Sequence, residues 1–363
     1  MNSDLKLQKE LLSPPGDTIQ ETIDAIGMSQ AELAERMGRP KEKLNDIIKG
    51  REPITLKTAI LLDRVLGIPA NFWIEREREY RLELSKIEQQ EFLEQGIDWL
   101  KMFPVPALKK LGWLPDSKNS TELVDSLLRF FGIASPRQWE EIYLEEAVAA
   151  AFKISLANTP SPHAVSAWIR IGEHRSATQK LPEFDKAAFV NALDEIMILV
   201  INQPDDFKER LQQICAQCGV AVIYTPCLPK APISGATWWK GKNPIIQLSG
   251  RYKTNDSFWF AFFHEAAHIL KHGKKEIFLE DLQGSPMDEA KEVEANQFAQ
   301  KYLFPKVAFD GLTEIFNISD EDILAYARHY KTHPAIIVGQ LQHSGIIAYH
   351  EGNHFKITID LFD

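Results

Sequence analysis

Cysteine is scarce in this chain of 363 residues: Cys215, Cys218 and Cys227 are its whole complement. Three thiols build no disulfide framework, and they fit a reducing compartment. Cys215-Ala-Gln-Cys218 has the spacing of half a zinc ribbon or of a redox pair, but a structural zinc site wants four ligands and Cys227 makes no second pair. Leu211, Ile214, Cys215 and Cys218 fit instead the inward stripe of a helix that ends at Gly219, before the strand VAVIY. Long apolar runs are also lacking. The densest, FWFAFF, falls far short of the roughly 20 residues needed to cross a bilayer. The opening MNSDLKLQKELL carries neither the apolar core nor the small-residue cleavage site of a secretory leader, so a cytoplasmic setting without membrane contact is expected. Basic excess is absent too. A net charge of −10 argues against attraction of the whole surface to nucleic acid, so any DNA contact must be local.

What is present is ample core material, 44% hydrophobic residues with 20 Phe and 8 Trp, beside 25% charged residues. The length calls for two or three folding units.

Local basic charge does occur near the start. The segment SQAELAERMGRPKEKLNDIIKG reads as two short helices. Ser29 and Glu32 form a capping box, Leu33, Ala34 and Met37 face inward, and Gly38 permits the turn. Pro40 opens a second helix with Leu44, Ile47 and Ile48 at helical spacing, and Gly50 ends it. Between Arg36 and Arg51 six basic residues face only Glu42 and Asp46. A helix presenting Lys41, Lys43 and Asn45 outward suits a major groove: lysines meet phosphates or guanine edges and Asn45 reads adenine. Gln30, at the start of the first helix, is placed to touch the backbone, and Arg39 and Lys49 extend the basic patch. The stretch from Pro15 to Arg81, with GRPKEKLNDIIKG, the following PIT and LGIPANFW, closely resembles the HigA-type antitoxin branch of the Cro/C1-type helix-turn-helix proteins. That resemblance implies a five-helix domain binding double-stranded operator DNA as a homodimer.

Residues 82–200 are mostly helical by period, with turns at FPVPAL, LPDSKNS, ASPR and NTPSPH. No motif there carries chemistry, and Trp139, Trp168 and the run AVAAAF read as packing residues. The segment is expected to be a helical connector serving dimerisation or sensing.

The stretch FFHEAAHILKHG is the strongest chemical signal. Asn255, Asp256 and Ser257 offer caps and Gly273 a stop, so Phe258 to His272 reads as one helix. His264 and His268, four residues apart on one face, can share a zinc ion, with Glu265 beside the metal rather than on it. His272 falls at the helix end, near the carbonyl dipoles, where an imidazole is favoured. A second helix, SPMDEAKEVEANQFAQKYLFP, has Ser285 and Asp288 as a capping box and Pro286 in its first turn. Glu292 and Glu294 flank its apolar stripe of Ala295, Phe298, Ala299 and Tyr302, and periodicity does not choose between them.

HEAAHILKHG with EVEANQFAQKYLFP resembles the signature of the ImmA/IrrE zinc metallopeptidases. The resemblance, which covers about Asp206 to Lys306, implies a His-His-Glu site made by His264, His268 and Glu294, with Glu292 as the fallback. It implies a Zn2+ cofactor and peptide hydrolysis with Glu265 as general base. PIIQLS is expected as an edge strand on which an extended peptide pairs, and Tyr302, His329, Tyr330 and His333 are candidates to stabilise the oxyanion.

The fold expected is mainly α with a small α+β zincin-like domain: a helix-turn-helix bundle at 1–81, a helical middle region at 82–200 and a metallopeptidase domain at 201–363. The function expected is that of a DNA-binding regulator that cleaves a partner protein, a repressor, toxin or regulator. The competing expectation is a non-catalytic, antitoxin-like transcription factor with a structural or sensory zinc site.

Overall fold

The computed structural model describes residues 3–144, 161–272, 278–279 and 289–362. The run AVAAAF, Gly273, Ser285, Pro286 and Asp288 lie outside the described residues. The chain is mainly α-helical with one small mixed sheet. It divides into two compact units, residues 1–100 with 117–125, and residues 101–116 with 126–363. Among the described residues no helix is long and apolar enough to cross a membrane.

The first unit contains α1 (Ser3–Leu11), α2 (Pro15–Ala25), α3 (Gln30–Arg36), α4 (Lys41–Ile48), α5 (Leu56–Leu66), α6 (Ala70–Gln95) and the single turn α7 (Ile97–Leu100). Ile19 and Ile23 from α2, Leu33 from α3, Leu44 and Ile47 from α4, Leu62 from α5 and Trp73 from α6 form one core. These residues recur at three- and four-residue spacing, the period that places them on one helical face. Gly16 makes the crossing of α2 and α4 possible: a β-carbon there would lie 1.9 Å from the Ile48 carbonyl oxygen. The expected capping box is only half made. The Ser29 hydroxyl accepts from the Glu32 backbone N–H, but the Glu32 carboxylate turns to Arg36 at 2.6 Å, because a guanidinium one turn along competes for it.

The second unit begins with α8 (Val105–Lys110), and α9 (Ser120–Phe131) enters it from residue 126 onward. Its further elements are α10 (Pro136–Tyr143), α11 (Pro162–Ala177), α12 (Lys186–Asn202), α13 (Phe207–Gln217), β1 (Ala221–Tyr224), β2 (Gly235–Lys240), β3 (Asn243–Leu248), α14 (Asn255–Lys271), β4 (Phe278–Leu279), α15 (Glu289–Leu303), α16 (Lys306–Thr313), α17 (Asp320–Tyr330) and α18 (Pro334–His343). The strand order is β1-β3-β2-β4. β3 pairs in parallel with β1 and antiparallel with β2, and β2 pairs antiparallel with β4. PIIQLS is therefore an interior strand and not an edge. Its apolar residues sit in the unit's interior, where Ile245, Ile246 and Leu248 are almost fully buried.

α14 is the central pillar. Every residue from Asn255 to Leu270 except Ser257 and Phe260 is buried, as befits a helix apolar nearly all round. Phe262, Phe263 and Trp259 share one core with Phe189, Leu193 and Ile196 of α12, residues of the segment expected as a connector. Trp139 and Trp168 are fully buried, and each indole N–H donates, to the Ser166 hydroxyl and to the Thr225 carbonyl respectively. Cys215 and Cys218 are buried on α13 and at its end, where burial pushes both thiols up from their usual range. Gly219 follows with φ +80°, the left-handed turn that releases the chain into β1.

Candidate functional site

α14 begins three residues before the expected Phe258. Thr254 is its N-cap, and Asn255 is occupied with distant chain: its N–H and side-chain oxygen pair with the backbone of Ile357, and its side-chain nitrogen meets His333 Nδ1 at 3.3 Å. Asp256 pairs with Lys356 at 2.7 Å. These contacts seat a helix whose next turns carry the chemistry.

His264 and His268 project from one face of α14 toward α15. Their Nε2 atoms lie 3.0 Å apart. Glu292 of α15 completes the triangle, with Oε2 3.1 Å from His264 Nε2 and Oε1 3.5 Å from His268 Nε2. A tetrahedral ion with bonds of about 2.0–2.1 Å spaces its ligands by about 3.3 Å, which these separations bracket. Among the described residues this is the group of His, Cys, Asp and Glu that can hold a metal ion.

The backs of the two rings are also engaged. Asn296 Oδ1 lies 2.9 Å from His264 Nδ1, so that nitrogen carries the hydrogen and Nε2 presents its lone pair. His268 Nδ1 lies 2.9 Å from His272 Nδ1, and His272 Nε2 lies 3.1 Å from Glu294 Oε2. Phe278 of β4 stacks on His268 at 3.9 Å. Burial first, then the neighbouring His264 ring, pushes His268 down to about 2, so the imidazole stays neutral and fit to ligate. Two nitrogen donors and a carboxylate this close together can hold a cation, and two imidazoles with one carboxylate are a donor set that suits zinc.

Glu294 is not in this group. Two residues from Glu292 on an α-helix, it points about 200° away. Its carboxylate is exposed and pairs with Lys271 at 3.1 Å and with His272, which hold it below the usual carboxylate range. The third donor brought to the histidines is thus Glu292, the alternative that periodicity left open.

Glu265 is fully buried, and its side chain lies beside the first residue of β2. A β-carbon on Gly235 would come within 2.6 Å of Glu265 Oε1, and the Thr237 hydroxyl donates to the Glu265 carbonyl at 3.2 Å. Gly235 was not visible as a site residue in the sequence; its signal, a glycine opening a strand, is too common to single out. Of the oxyanion candidates, Tyr302 stacks on Phe263, Tyr330 packs on Phe304, His329 lies against Tyr330 and His333 caps α18. A cavity of about 700 Å³ is lined by Ser257, Phe260, Gln300, Phe304, Ile336 and Lys356 among others, and none of His264, Glu265, His268 and Glu292 lines it. Phe260 stands one turn before His264, and Gln300 one turn after Asn296.

In the first unit, Lys41, Lys43 and Lys49 are exposed on or beside α4, and Asn45, Arg39 and Gln30 are half-buried. Gln30 donates to Gln20 at 2.5 Å. Lys43 forms a close ion pair with Glu52, which raises its pKa, and Arg51 pairs with Asp46 at 2.9 Å. Among the described residues no acid pairs with Arg39, Lys41 or Lys49 within salt-bridge distance.

Residues 215–337 match the model of the IrrE N-terminal-like domain, peptidase family M78, and residues 19–73 match that of the helix-turn-helix. The chain thus unites a helix-turn-helix with an IrrE N-terminal-like domain. Among solved structures it is similar to one from Nostoc punctiforme described as an antidote protein of a plasmid maintenance system. The two are 27% identical over 22% of this chain and 89% of that one, with a TM-score of 0.22. No curated protein matches the chain.

Proposed function

We propose that this chain is a DNA-binding regulator whose second unit is a zinc-dependent endopeptidase acting on a partner protein. The observation that carries the peptidase reading is the triangle of His264, His268 and Glu292, with a buried carboxylate, Glu265, on the same helix. His264, His268 and Glu292 would hold the ion. Zinc, when bound, supplies a Lewis acid that polarises a carbonyl and makes water acidic enough to ionise near neutrality. Glu265 accepts the proton of the attacking water at its carboxylate and returns it to the leaving amine. Enclosure by Phe278 and the surrounding core excludes bulk water and strengthens that exchange. The cavity lined by Phe260, one turn before His264, would provide room for substrate side chains.

For the first unit, the helix-turn-helix match supports operator binding, and the cations Arg39, Lys41 and Lys49, which no acid among the described residues pairs with, support α4 as the helix that meets DNA. Gln30, Lys43 and Asn45 complete the proposed contact set, acting as a homodimer in a cytoplasmic setting. Metal analysis and a cleavage assay on proteins encoded nearby test the enzyme. Wild type is expected to carry one zinc, with His264→Ala and Glu292→Ala carrying none. Glu265→Gln should retain zinc and lose cleavage by about 10²–10⁴-fold. Zinc held without cleavage of any partner by the wild type would leave a regulator with a structural or sensory metal.

A further inference from the structure

We infer that His272 and Glu294 form a positioning relay that sets the tautomer and the aim of His268, an inference that rests on the metal site proposed above. A carboxylate only accepts hydrogen bonds, so at 3.1 Å from Glu294 Oε2 the His272 Nε2 must carry a hydrogen. In a neutral imidazole the other nitrogen then has a lone pair. His272 Nδ1 is thus an acceptor, and His268 Nδ1, 2.9 Å away, is the donor. That leaves His268 Nε2 bare, turned toward His264 and Glu292. Each contact dictates the next, from an exposed carboxylate to a fully buried ligand nitrogen.

The second histidine has a shorter arrangement, one amide oxygen from Asn296 behind His264. Orienting acceptors behind metal-bound imidazoles fix ring rotation and raise ligand basicity, and their loss costs about 10–100-fold in metal affinity. His272 is not a ligand itself. Its Nδ1 meets the back of the His268 ring, opposite the nitrogen that joins the triangle. Its own side chain is only 4% exposed, so its orientation is held by packing as well as by Glu294. Lys271 holds the other Glu294 oxygen at 3.1 Å.

The test measures zinc dissociation constants of the full chain by chelator competition, with the melting temperature of each metal-free variant as the check on folding. His272→Phe keeps the ring volume and removes the acceptor, and should weaken zinc about 10–100-fold. His272→Gln keeps an acceptor oxygen and should recover most of that loss. Glu294→Ala, an exposed change that does not threaten the fold, should weaken zinc several-fold, and combining it with His272→Phe should add little. Wild-type affinity in both His272→Phe and Glu294→Ala would overturn the relay, as would equal losses in His272→Phe and His272→Gln. His264→Ala separates the two readings. If it too leaves zinc binding untouched, the metal site itself is wrong; if it abolishes binding while the relay variants do not, only the relay fails.

Discussion

At the scale of single residues, the most exacting position is a glycine. Gly235 leaves space that the Glu265 carboxylate fills, and a methyl group there would press to within 2.6 Å of Oε1. Gly235→Ala should therefore move the proposed base while His264, His268 and Glu292 stay in place. Cleavage is expected to fall at least about tenfold with zinc stoichiometry unchanged, since displacements of about 1 Å are costly to catalysis. A second residue-scale expectation concerns His163, which stacks on Trp139 at 4.1 Å and meets Phe103 edge-on. Burial pushes its pKa from 6.5 down to about 4. Between those values the unfolded chain takes up a proton that the folded chain refuses, so stability is lost as pH falls from 6.5 toward 4. The loss should be on the order of 1–2 kcal/mol after allowance for partial exposure, and His163→Phe should flatten it in unfolding free energies measured across that range.

At the scale of elements, α2 and α4 of the first unit cross closely at Gly16. Gly16→Ala forces a β-carbon onto the Ile48 carbonyl, and a cost of about 1–3 kcal/mol in denaturant unfolding is expected, with loss of DNA affinity because α4 is displaced. On α4 itself, basic residues should not contribute equally. Lys41→Ala and Lys49→Ala should each lower the slope of log affinity against log salt by about 1. Lys43→Ala should change it less, because its ammonium must first leave Glu52. Salt titrations of operator binding check both. Much of this level was legible in the sequence. Helices α3 and α4 follow from apolar spacing, a cap and glycines, and the helices carrying HEAAH and EVEAN follow from apolar spacing, though the first is capped by Thr254 rather than by Asn255, Asp256 or Ser257. What did not follow is instructive. Periodicity places Glu292 and Glu294 on either border of one stripe, and only the rotation of α15 against α14 decides which carboxylate meets the histidines. PIIQLS reads as a strand, but its place inside the sheet depends on β1 and β2 pairing to it from both sides, which no local pattern encodes. His272 was legible as a helix-end imidazole one turn beyond His268, but not as an acceptor behind that ring, because this role also needs Glu294 from another helix.

At the scale of the whole molecule, two compact units with separate cores carry the two proposed sites. The second of these units draws residues from far along the chain to finish one helix. Asn255 is clamped by Ile357, Lys253 pairs with Ile359, and Asp256 meets Lys356. Residues about a hundred positions downstream of α14 thus hold its first turn, and the histidines stand two turns further on. In terms of synthesis, the ribosome delivers HEAAH long before it delivers the segment that seats it. A chain halted near His350 would have every proposed ligand and no clamp. Such a truncated chain is expected to bind zinc more weakly and to melt lower than the full one, a comparison of two purified proteins. The helix that carries the proposed ligands would then gain its full support only after translation has passed Ile359.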